Sequence, residues 1–231
     1  VTALMARVYL CQENLTDALA CAQEVIDSKR FEFMNDSINN VYAYRNLSYI
    51  EKMARHEYVS SLYVYDLKEG RSDLFFKNLA SCECVIAEGR KASIYSGMGQ
   101  DLDIRSKNWF ETPAGSATEY VNKYMRGTQI PLLKLSEMYL IAAEASGDIR
   151  YLETLRANRG YATDPLPAGA NLQDEITKEY QKEFIAEGQL FYYYKRRNMA
   201  ILPITSTSMN RATYVLPVPD NELEFGNFKQ N

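Results

Sequence analysis

Three sets of residues in this chain have types and spacings that invite a chemical reading. The first is the acidic pair Glu183 and Glu187. Glycoside hydrolysis needs two carboxyl groups facing each other across a sugar, normally from different elements. Two glutamates four residues apart on one helix point the same way, so the spacing predicts a salt-bridged or solvated stripe. The second set is the sole histidine, His56, and the four cysteines, Cys11, Cys21, Cys82 and Cys84. His56 lies in Arg55-His56-Glu57 without a Gly-x-Ser-x-Gly elbow to supply a nucleophile, and reads as a surface histidine. Cys82 and Cys84 are one residue apart, which fits neither a redox pair nor zinc spacing. A Cys11–Cys21 bond across a helical hairpin is left undecided by sequence. Phosphate-cradling glycine motifs are missing, so neither a metal nor a cofactor is expected. The third set is aromatic, with 18 Tyr against 9 Phe. A phenol ring joins an apolar face to a hydroxyl and suits half-wet surfaces as well as cores. Most of these tyrosines are expected to pack helices.

The elements that must hold these residues divide the chain in three. Helical periodicity opens it: Leu4, Val8 and Cys11 are expected on one face, and Leu19, Ala22 and Ile26 on the stripe of a second helix capped by Asn14 or Thr16. Ala18, Ala20 and Ala22 allow close approach, so residues 1–28 read as a tetratricopeptide-like hairpin. One such unit cannot bury its apolar face alone. Residues 29–130 read as a loop-rich region of about 100 residues, long enough that function is the usual reason for it. One strand is expected there, around Val59, Leu62 and Val64. Residues 131–231 turn helical again. Pro131 is read as a helix start, with Leu132, Leu135, Tyr139 and Ala142 on one face and Gly147 as the stop. A short helix follows over 149–158. A longer one starts near Leu172 with Ile176, Tyr180 and Phe184 on its face, kinks at Gly188 and continues through Phe191 and Tyr194. The tail from Tyr214 to Pro219 reads as extended. The fold class expected is therefore mainly α, built of tetratricopeptide-like helical hairpins with long irregular loops and little β.

Composition narrows the function. The net charge is −4, against the cationic excess that nucleic-acid binding requires. Nothing apolar reaches the roughly 20 residues of a membrane span. Val1 to Cys11 does not read as a lipoprotein signal, because Arg7 interrupts the apolar run and Val8, Tyr9 and Leu10 are not the small residues expected near a processing site. The chain reads as cut from a longer protein, with any export signal upstream.

Taken in order, the motifs resemble the SusD/RagB family of Bacteroidetes outer-membrane proteins. They run from Ala6-Arg7-Val8-Tyr9-Leu10, Ala18-Leu19 and Ala22-Gln23-Glu24-Val25-Ile26, through Asp103-Ile104-Arg105 and Lys123-Tyr124, to the segment Pro131 to Ala145, which is the strongest match. Leu155-Arg156 with Arg159-Gly160, then Glu183, Glu187-Gly188 and Lys195-Arg196 follow. Leu216-Pro217-Val218-Pro219 with Glu222, and finally Gln230-Asn231, close the series. Each motif is weak alone and the ordered set is specific. The sequence departs from the family at Glu153 after Leu152, at Glu179-Tyr180 and at Tyr193-Tyr194, which puts particular salt bridges in question.

The resemblance implies the C-terminal part of a non-catalytic, lipid-anchored protein on the extracellular face of the outer membrane. Such a protein captures a glycan or another nutrient for a SusC-like TonB-dependent transporter, touching the membrane only through an anchor upstream of this chain. Sugar faces would stack on aromatics of the irregular middle, with Trp109, Tyr42, Tyr44 and Tyr49 best placed. Trp109 has a second reading, as packing beside the Asp103-x-Arg105 element. Asp103, Arg105, Glu137, Glu144, Arg156, Arg159, Glu187 and Arg196 are expected to be scaffold. Pairing between Glu137 or Glu144 and Arg156 or Arg159 would fix helix orientation. The rival readings are a helical-repeat scaffold that binds another protein and has no sugar site, and an enzyme of carbohydrate metabolism.

Overall fold

A computed structural model describes residues 1–33, 55–65, 85–86, 89–95, 103–112, 119–121, 123, 129–161, 165–203, 205–215 and 217–226. The chain divides into two compact units, Val1–Ala186 and Glu187–Asn231.

The first unit opens with the expected hairpin. Helix α1 spans Thr2–Cys11 and α2 spans Leu15–Asp27. Asn14 caps α2: its side-chain oxygen accepts from the Asp17 backbone N–H at 3.3 Å, and its amide donates to the Asp17 carboxylate at 2.7 Å. The buried face differs from the expected one. Ala3, Ala6 and Leu10 are buried, whereas Leu4 and Val8 are 50% and 44% exposed. Two apolar stripes run along α1, and the one with alanines wins because Ala3 and Ala6 let the backbone come close to Ala18 and Ala22 on α2, all four being essentially inaccessible. Large side chains on that stripe would hold the helices apart.

Strand β1, Tyr58–Tyr63, lies where the β-branched and aromatic run predicts a strand. It pairs antiparallel with Gln129–Lys134, so Pro131 sits in a strand opposite Ser61 and does not start a helix. Proline donates no ladder hydrogen bond and is tolerated in a pairing that is two-stranded and irregular in register. Helix α5, Leu135–Ser146, begins directly after this strand. A second, three-stranded antiparallel sheet was not foreseen. It joins β2 (Val85–Ile86), β3 (Phe110–Glu111) and β4 (Glu119–Val121) in the order β2-β4-β3; Gln129–Lys134 is then β5. The strands are short, and the architecture is mainly helical as expected.

Short helices α3 (Arg90–Ile94) and α4 (Ile104–Asn108) lie between β2 and β3 in sequence. Gly147, in the left-handed conformation at φ 71°, ends α5. Helix α6 (Ile149–Arg156) runs into a wide turn, Ala157–Tyr161. Helix α7 spans Leu172–Glu183, with Asn171 as its cap. The main core joins the hairpin to α5 and β5 through Leu10, Val25, Leu133, Met138 and Ile141.

Beyond α7 the expected kinked helix is instead broken. Ala186 and Gly188 both take positive φ, 60° and 73°, and a new helix, α8 (Gln189–Arg196), starts after Gly188. Two left-handed residues in three cannot belong to one right-handed helix. The second unit holds α8, α9 (Arg211–Tyr214) and α10 (Asp220–Phe225). Within it, the Tyr214 hydroxyl donates to the Met199 carbonyl at 2.8 Å. The expected extended tail thus begins one residue late, because Tyr214 closes α9.

Candidate functional site

The densest assembly of functional groups in the first unit is a buried ionic network, laid down by the Asp103-x-Arg105 element. Asp103 is the N-cap of α4, and one of its oxygens accepts the Arg105 backbone N–H at 2.9 Å. A cap two residues ahead of an arginine can also take that arginine's side chain, and Asp103 receives Nε at 3.0 Å and an Nη at 2.8 Å. The guanidinium then reaches α7, giving hydrogen bonds to Glu179 at 2.8 Å and Glu183 at 3.1 Å. Arg105 and Asp103 are wholly inaccessible.

Glu183 is the hub. Its carboxylate accepts from Arg105, from Arg159 twice at 3.1 Å and from the Ser136 hydroxyl at 2.9 Å, with the Lys134 ammonium 3.2 Å away. Arg159 turns the rest of its fork on Glu57, with two hydrogen bonds of 2.7 Å. Glu179 meets Lys182 at 2.9 Å and Arg156 at 3.3 Å besides Arg105. Burial alone would raise the pKa of both Glu179 and Glu183. The surrounding cations outweigh it and hold both well below the usual carboxylate range. Burial likewise opposes the charge on Arg105 and Arg159, and the facing carboxylates keep both firmly protonated. Tyr161 lies under the Arg156 guanidinium at 4.4 Å. Burial, reinforced by the negative charges of Asp103 and Glu179, keeps its phenol protonated far above the ordinary tyrosine range.

Lysines complete the assembly by capping the C-terminus of α7. Lys123 donates to the carbonyls of Glu183 at 2.8 Å and Ile185 at 3.0 Å, and Lys134 donates to Glu183 O at 3.2 Å. The Tyr95 hydroxyl donates to Lys182 O at 3.1 Å. The Lys182 and Glu183 carbonyls are the last of α7; such carbonyls lack intrahelical partners and carry the negative end of the helix dipole. Lys123 also sits 4.0 Å above the Trp109 ring. All the buried carboxylates of this cluster face cations. Among the described residues no group of three His, Cys, Asp or Glu side chains is disposed to hold a metal.

No family model matches the sequence, and no curated protein matches it. Solved structures do. A candidate sugar-binding protein from Bacteroides vulgatus superposes on the whole chain at a TM-score of 0.70 and 23% identity. A SusD-superfamily protein from Bacteroides thetaiotaomicron does so at 0.62 and 19%. The chain has the SusD fold. Surface glycan-binding protein A from Bacteroides thetaiotaomicron, in complex with laminarihexaose, superposes at 0.64 and 16% identity. All three are matched over 100% of this chain, which spans only 58%, 59% and 62% of their lengths.

Within this SusD fold the residues singled out by sequence fall into three groups. Asp103, Arg105, Arg156 and Arg159 meet in the network, with partners that sequence did not give. Neither Glu137 nor Glu144 is the carboxylate bound by Arg156 and Arg159 in the network. Glu137 is held by Arg7 of α1, with hydrogen bonds of 2.5 and 2.6 Å, which ties the hairpin to α5. Glu144 is half-buried on α5. Among the described residues, Arg156 meets Glu179, and Arg159 meets Glu183 and Glu57. Glu179 entered the sequence reading only as a departure, and Glu57 only as a neighbour of His56. Glu187 and Arg196 belong to the second unit, where Arg196 lies 5.5 Å from the Tyr193 ring. Glu183 ends α7 and Glu187 lies outside it, so the two do not share a helix.

Trp109 requires a correction as a stacking residue. It is 2% exposed and covered by the Lys123 ammonium, so its ring is part of the packing beside Asp103-x-Arg105. Tyr42, Tyr44 and Tyr49 lie outside the described residues, as do Cys82, Cys84, Tyr124 and Leu216. Cys11 and Cys21 are both free thiols.

Proposed function

We propose that the protein is a non-catalytic receptor that captures a glycan outside the cell and passes it to a SusC-like TonB-dependent transporter, held at the outer membrane by a lipid anchor. The observation that carries this reading is the superposition of the entire chain on SusD-fold structures, one of them solved with an oligosaccharide bound. The buried network supports it in a second way. The carboxylates of the network, Glu57, Asp103, Glu179 and Glu183, are each paired with arginine or lysine, as in a frame that displays other side chains. Capture then rests on stacking the apolar C–H face of a sugar ring on tyrosine, with hydroxyls bonded to nearby polar groups. Tyr42, Tyr44 and Tyr49 are the proposed contributors from the loop-rich region.

Isothermal titration of the intact protein with a panel of oligosaccharides, laminarihexaose included, tests the proposal. Saturable binding without release of new reducing ends is the expected result. Cleavage of a bound oligosaccharide, or the absence of binding to every member, would overturn it.

A further inference from the structure

We draw no further inference here: the strongest candidate, the exposed apolar stripe of Leu4, Met5 and Val8 on α1, carries none, because nothing in the structure shows what covers it.

Discussion

Replacing Glu183 with glutamine removes one negative charge while keeping shape and the capacity to accept from Ser136. In the native chain that charge faces Arg105 and Arg159 at 3.1 Å and Lys134 at 3.2 Å, with 1% of the side chain exposed. The three cations cannot turn to water, so the variant leaves them repelling one another in a medium that screens little. Breaking a buried ion pair by removing one partner costs about 3–5 kcal/mol. A unit the size of Val1–Ala186 loses roughly 2–4 °C of melting temperature per kcal/mol, so Glu183→Gln should melt about 6–20 °C below the parent. Glu137→Gln is the internal control. Its partner Arg7 is 33% exposed and can be re-solvated, so the loss should be about 1 kcal/mol and a few degrees. Thermal unfolding followed by far-ultraviolet circular dichroism, with urea midpoints alongside, reads both. A Glu183→Gln protein melting within about 2 °C of the parent, or no lower than Glu137→Gln, would show that the hub charge does not hold the frame together.

Two further outcomes follow from the same geometry. Because the carboxyls of Glu179 and Glu183 are held below their ordinary range in the folded chain, the unfolded chain takes up protons first as the medium is acidified. The stability they confer is present above the unfolded carboxyl pKa of about 4.3 and is lost as pH falls below it toward the folded values. Melting temperature should therefore drop progressively below about pH 5, and less steeply in Glu183→Gln; parallel curves would refute the assignment. The chain has a single tryptophan, and it is buried under Lys123. Its emission should be blue-shifted, resistant to iodide and unmoved by saturating oligosaccharide; ready quenching would place the ring at the surface.

What could be read in advance was local, and what could not was the choice of partner. Asn14, Gly147 and the β-branched and apolar residues around Val59 and Leu62 carry their structural meaning in their own chemistry: a cap, a left-handed stop and a strand. The tripeptide Asp-Ile-Arg shows where this ends. It occurs twice, at 103–105 and at 148–150, and both copies make the same cap with the same side-chain return to the aspartate. The first is sealed inside the network, while Arg150 of the second is 84% exposed. Only tertiary placement separates them. The ion pairs obey the same limit. Arg159 finds Glu57 across 102 positions and Arg7 finds Glu137 across 130, and spacing within one helix says nothing of either. Pro131 misled because a proline suits a first helical turn and an irregular strand alike, and the strand partner lay some 70 residues earlier, in β1. The α1 face misled because period alone does not rank two apolar stripes; the size of Ala3 and Ala6 does.

Among the described residues, Glu57, Tyr95, Arg105 and Lys123 fasten the loop-rich region to α7 and Arg159. Each joins positions far apart in the chain, so a substitution at any one of them should loosen together α7 and the segment it fastens.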